Sequence, residues 1–149
     1  MVDVAILKQL REQTDASVGA CKTALEKANG DLERAVVFLR EEGNKIAEKK
    51  AQRETGIGIV EAYVHTTQRV GALLEIRSET DFVARNPEFK KLAHDIVMHI
   101  TALAPESVPM LLEQPFIKDE SKTVGALLTE AIMRFGENIQ ITRFSRFEI

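Results

Sequence analysis

Catalysis needs nucleophiles, acids, bases or metal ligands brought close together, and this 149-residue chain offers three histidines, one cysteine and 23 acidic residues for the purpose. His94 and His99 stand five apart, about 500° around a helix, so they point to different sides and cannot make the i, i+4 pair of a helical metal site. His65 is isolated in an alternating stretch, and all three histidines read as structural or surface residues. Cys21 has no second cysteine with which to form a disulfide or a cysteine-based zinc cage. There is no Gly-x4-Gly-Lys-Ser/Thr loop and no Gly-x-Ser-x-Gly elbow, and Gly56-Ile57-Gly58 lacks the third glycine of a dinucleotide fingerprint. The acids are spread along the chain, with no pair set apart for proton transfer. The expectation is a protein that is not an enzyme, with no catalytic residues, no metal site and no cofactor.

One segment could act without covalent chemistry. Ser78-Glu79-Thr80-Asp81-Phe82-Val83-Ala84-Arg85 joins an alternating apolar stretch to a helix start and sets a large ring between an acid and a base. In one reading, Thr80 caps a single helical turn and Phe82 folds back on a sheet. In the other, Phe82 is an aromatic anchor on a connecting loop, the residue type and location that dominate interface hot spots.

The elements that must hold this segment follow from periodicity. Val4, Leu7 and Leu10 at i, i+3, i+6 put an apolar face on a first helix. Thr14-Asp15-Ala16-Ser17 breaks the pattern and can cap a second, carrying Ala20, Ala24, Leu25 and Ala28 and stopping at Asn29-Gly30. Asp31 can cap a third, with Leu32, Ala35, Val36 and Leu39 buried and Gly43 where a left-handed C′ residue belongs. These helices form an expected module over residues 1–43. Lys45, Lys49, Lys50 and Arg53, interleaved with alanines and two acids, predict a solvated basic linker helix over residues 44–55.

From Gly56 the period becomes two. Residues 57–65 and 70–77 alternate, and Thr66-Thr67-Gln68-Arg69 forms the turn of a β-hairpin between them. Asn86-Pro87 caps an amphipathic helix running to about Leu103, and Pro105, Pro109 and Pro115 cut the following stretch into short pieces. Thr123 opens another helix that Gly136 ends, and residues 138–143 alternate as a third strand. The fold class is α+β: a three-helix module, then a core over residues 56–149 with a small antiparallel sheet of about three strands packed with helices.

Composition bounds the setting. Hydrophobic content of 44% with 29% charged residues is that of a globular chain, and a formal charge of -3 argues against a large nucleic-acid footprint. Met1-Val2-Asp3-Val4 opens no signal or transit peptide, and no apolar run approaches the ~20 residues that span a bilayer. A cytoplasmic protein without membrane contact is expected.

Seven short blocks, in order along the chain, carry a resemblance. Leu10-Arg11-Glu12-x-Thr14, Cys21-Lys22-x-Ala24-Leu25 and Gly30-Asp31-Leu32-Glu33-x-Ala35 resemble the N-terminal module of the elongation factor Ts family, a three-helix fold similar to ubiquitin-associated domains. Thr80-Asp81-Phe82-Val83-Ala84 resembles that family's central motif. Gln114-Pro115-Phe116-Ile117-Lys118-Asp119, Thr123-Val124-Gly125 and Gly136-Glu137-Asn138-Ile139 resemble its later signatures. The resemblance implies a guanine-nucleotide exchange factor for the GTPase elongation factor Tu in translation. Its exchange motif would be Thr80, Asp81, Phe82 and Val83, acting on the GTPase's Mg²⁺ and phosphate site to release GDP. Lys8, Arg11, Val18 and Lys22 match positions of the family's docking face, although Asp15 stands where the family commonly has glycine and Ala20 where it has an acid. Long members carry a second core subdomain; a chain with one implies a homodimer in which two copies cover each other. Two rivals use parts of the chain only: a ubiquitin-associated-like binding module in residues 1–43, and an RNA-binding protein using Lys45 to Arg53.

Overall fold

The change of period near residue 56 marks a change of architecture. The computed structural model describes every residue from Met1 to Ile149 and divides into two units. The first comprises Met1–Gln52 with Thr129–Gly136, and the second Arg53–Leu128 with Glu137–Ile149.

In the first unit, α1 (Val4–Thr14), α2 (Val18–Lys27) and α3 (Leu32–Lys50) begin at Asp3, Ser17 and Asp31, whose side chains accept the Ala5, Ala20 and Arg34 N–H groups. Each cap satisfies a donor that the first helical turn leaves unpaired. The three apolar stripes meet in a core of Leu10, Cys21, Ala24, Leu25, Ala28, Ala35 and Leu39. Cys21 lies fully inside it, and burial pushes its thiol pKa up, so the side chain serves as a small apolar group. Asp15 adopts φ 57° as the α1 C-cap, a left-handed conformation that explains why glycine suits this position. Aspartate is among the few other residues that tolerate it, and here its carboxylate also pairs with Arg134 at 3.0 Å.

Gly43 is not a helix stop. α3 runs on through it to Lys50, so most of the basic stretch expected as a separate linker helix is the end of α3. A Cβ on Gly43 would lie 2.5 Å from Met133 Sδ and 3.2 Å from Thr129 Cγ2, so the missing side chain admits close packing and does not free the backbone to turn. Lys50 Nζ donates to the Gly136 carbonyl at 2.9 Å within the same unit.

The second unit opens with β1 (Ile57–Val64) and β2 (Val70–Ser78), joined by the expected turn with Gln68 at φ 58° and the His65 N–H on the Val70 carbonyl. After β2 come the one-turn α4 (Asp81–Ala84) and then α5 (Pro87–Leu103), entered through Asn86 as N-cap and Pro87 in the first turn. Next are α6 (Val108–Glu113), a small hairpin of β3 (Pro115–Phe116) and β4 (Asp119–Thr123), α7 (Val124–Phe135), whose residues from Thr129 onward count with the first unit, and β5 (Gln140–Glu148). Thr123 Oγ1 accepts the Ala126 N–H, and Gly136 closes α7 at φ 71°.

The main sheet has the order β1-β2-β5, antiparallel throughout. Its inner rows, such as Ile59, Ile76 and Ile141, lie on the face against which α5 packs. β5 is longer than its early alternation indicates, because its pairing with β2 continues past a bulge to Glu148 opposite Val70. The β3–β4 hairpin was not foreseen, since its strands are too short to show a period. It is tied to α5 by His99, fully buried, whose Nδ1 accepts the Ile117 N–H at 3.1 Å while Nε2 lies 2.9 Å from Gln114 Oε1. Burial lowers the His99 pKa and favours the neutral ring that this bonding requires. No helix is long and apolar enough to cross a membrane.

Candidate functional site

α4 is a single turn held at both ends. At its start Thr80 is extended (φ -130°, ψ 156°), and its hydroxyl oxygen accepts the Val83 N–H at 3.4 Å. At its end the Asn86 N–H bonds the Val83 carbonyl at 2.9 Å, and the Asn86 side chain accepts the Glu88 N–H to begin α5. Helical geometry rotates neighbouring residues by about 100°, so the pair that turns inward determines the pair that turns out. Val83 and Ala84 are buried; Asp81 is exposed, and Phe82 is 87% exposed. Thr80 does cap a helical turn, as one expectation held, but Phe82 does not fold back on the sheet. An aromatic ring is left in solvent on a backbone that cannot easily withdraw it.

A second acid fixes the approach to this turn. Glu137 Oε1 accepts the Glu79 and Thr80 N–H groups, each at 3.1 Å, and Oε2 accepts the Thr80 hydroxyl at 2.7 Å. Glu79 reciprocates: its Oε2 accepts the Asn138 N–H at 2.8 Å and lies 3.6 Å from the Arg53 guanidinium. Asn138, itself buried, donates from Nδ2 to the Arg53 carbonyl. Sequence periodicity assigned Glu79 and Glu137 no role, and the only signal of the second was its place in Gly136-Glu137-Asn138-Ile139, one of the blocks that carry the resemblance.

Lys8 and Arg11 share a face of α1 at i, i+3 spacing, and Val18 and Lys22 share one of α2 at i, i+4. All four side chains are exposed, and Arg11 Nε reaches the Ala16 carbonyl, just before α2, at 3.5 Å. They belong to the first unit, whereas the Thr80–Val83 turn belongs to the second.

The outer face of the sheet carries a broader exposed apolar surface. Val60 (69% exposed), Val64 (65%), Leu73 (49%) and Phe147 (74%) stand on it, and Val64, Gly71 and Phe147 lie in one row across the strands. Gly71 has no side chain, which leaves a shallow depression lined by Ala62, Val64, Leu73, Phe147 and Ile149. At the other end of this face, hydrogen bonds from Arg143 and then Arg77 hold the Glu75 carboxyl below the usual carboxylate range. No group of three or more His, Cys, Asp or Glu side chains converges as a metal site would need.

Comparison with known proteins accounts for the chain as a whole. The family model described as "Elongation factor TS" matches residues 79–149. Along 99% of its length the chain is 42% identical to the elongation factor Ts of Acetivibrio thermocellus, covering 90% of that protein. It is 42% identical to that of Carboxydothermus hydrogenoformans over all of this chain and 89% of the relative. With the elongation factor Ts of Thermosipho melanesiensis the identity is 37%, over all of this chain and 99% of the relative. These alignments extend over 193 or 194 positions, more than the 149 residues here, so the relatives contain residues without a counterpart in this chain.

Proposed function

The chain belongs to the elongation factor Ts family, the non-catalytic nucleotide-exchange factors for elongation factor Tu, and from that premise we propose that its Thr80–Val83 turn is what dislodges GDP from the GTPase. The observation that carries this reading is Phe82, 87% exposed on a turn capped at both ends. A large ring presented on a connecting turn is the residue type and location that dominate interface hot spots when a partner's pocket buries it. Phe82 enters an apolar pocket between helices of the GTPase. Asp81, beside it, disturbs the hydrogen bonds that organise the GTPase's Mg²⁺ shell and phosphate loop.

The energetics suit a small wedge. Mg²⁺ bridges nucleotide phosphates and protein ligands, so a small shift of its ligands weakens the whole site. Factor and nucleotide then bind antagonistically, and the coupling is reciprocal. Each tenfold weakening of GDP takes about 1.4 kcal/mol of differential binding, within reach of one well-buried aromatic anchor at ~2 kcal/mol or more.

In this reading residues 1–43 are the module that docks on the nucleotide-binding domain, through Lys8, Arg11, Val18 and Lys22. Residues 44–55 connect it to the core, and residues 56–149 carry the exchange turn and the dimer face. A second copy of the chain covers the outer sheet face around Val64, Leu73 and Phe147, giving a homodimer that holds two GTPase molecules in the cytoplasm. Neither nucleic acid nor membrane takes part.

The test is release of a fluorescent GDP analogue from elongation factor Tu, chased with unlabelled GDP. Wild-type chain accelerates release, Phe82→Ala removes most of the acceleration, and Asp81→Ala removes part of it, with the far-ultraviolet circular dichroism unchanged. Release that does not respond to the wild-type chain refutes the reading.

A further inference from the structure

Phe82 works as a wedge only if its backbone is held while the ring is pushed into a partner. The residues of α4 cannot do this alone, since a four-residue helix has little stability of its own. What holds it comes from the far side of the sequence. Thr80 has every polar group engaged: its N–H and hydroxyl donate to Glu137, its hydroxyl oxygen accepts the Val83 N–H, and its carbonyl accepts from the Ser78 hydroxyl at 3.0 Å and the Ala84 N–H at 3.2 Å. Of these partners only Glu137 is remote, 57 residues downstream. Because its carboxylate can only accept, it commits the Thr80 hydroxyl proton outward and leaves the oxygen's lone pairs for the cap. Three hydrogen bonds to one ionised carboxylate are also stronger than neutral ones.

We infer that Glu137 is a positioning residue for the exchange turn: it makes no contact with the GTPase but fixes Thr80 so that Phe82 is presented ready to insert. This rests on the exchange reading above. Glu79, bonded in return to the Asn138 N–H, is the other half of the same clasp. The expected signature is a split between binding and exchange. The docking module still meets the GTPase, so the half-saturating concentration stays the same, while insertion of a loosened wedge becomes less probable and the maximal rate falls.

The experiment is stopped-flow release of the fluorescent GDP analogue at a series of concentrations of the full chain. Glu137→Ala lowers the maximal release rate by roughly tenfold and changes the half-saturating concentration by less than about twofold. Glu137→Gln gives a smaller loss, because its amide oxygen still accepts the two N–H groups while its NH₂ cannot accept the Thr80 hydroxyl. In the Phe82→Ala background, Glu137→Ala costs nothing further, since it acts through the ring that is already gone. Should Glu137→Ala not fold, the isosteric Glu137→Gln carries the same comparison in both backgrounds. A wild-type rate in these variants, or an equal loss with and without Phe82, overturns the inference while leaving the exchange reading intact. Failure of the wild-type chain to accelerate release removes both.

Discussion

The most exposed large apolar side chains of the second unit fall in two places, and they are exposed in opposite ways. On α4 a single ring projects from a turn whose other side chains are buried or charged. On the outer face of the sheet, Val60, Val64, Leu73 and Phe147 make a broad, shallow surface bounded by the paired charges of Glu75, Arg77 and Arg143. In the proposed reading the lone projecting ring enters a pocket on the GTPase, a partner of different shape. A flat patch is matched by another flat patch, and its own copy related by a two-fold axis supplies one. On that proposal the difference teaches how one small unit would hold two partners without mixing them: shape, more than hydrophobicity, separates the surfaces.

The sharpest way to break this division is on the flat side. Leu73→Glu would bring two like charges together across a two-fold interface, at a cost of several kcal/mol. Sedimentation at micromolar concentration then shows one chain where the wild type shows two; a wild-type monomer removes the proposed dimer. On the projecting side, Phe82→Ala loses about 2 kcal/mol of anchoring, or about thirtyfold in accelerated release. It leaves the sedimenting mass unchanged, and a drop in mass with this variant would merge the two surfaces into one.

The smallest effect tests the support that both surfaces share, since α5 packs under the sheet and follows α4. His99 is neutral in the folded protein, with its pKa below the ordinary 6.5 because of burial. The unfolded chain therefore binds more protons between the two values, and stability rises with pH across that interval. The contribution is complete above about pH 6.5 and is lost as pH falls through the folded value. Thermal unfolding followed across this range shows the slope, and His99→Gln, though less stable throughout, flattens it. An unchanged slope in that variant assigns the pH dependence elsewhere.

Much of this could be read in advance, for physical reasons that differ between elements. The β1–β2 hairpin and α5 were legible because alternation, the Thr66–Arg69 turn and Asn86-Pro87 are local signals that agree with the final packing. Gly43 misled because its local signal as a stop is overridden by packing against Thr129 and Met133, some ninety residues away. Phe82 was undecided because two readings fitted the same residues. Burial of Val83 and Ala84 leaves the ring outside, and that choice is made by tertiary structure. Glu137 was invisible as a support for Thr80, since no periodicity links an acid after α7 to a turn after β2.

The composition of the first unit has a consequence for how the chain is made. Its three leading helices are completed by residues Thr129–Gly136, so this unit is discontinuous in sequence. On the ribosome, Gly43 emerges long before Met133, the residue it is shaped to accept. The helices can form early, but their final packing waits until nearly the whole chain has been synthesised. Long-range contacts of this kind raise contact order and slow folding. A fragment ending at Gln52 would leave the groove at Gly43 bare, and nascent chains of that length should be markedly more sensitive to protease than the finished protein.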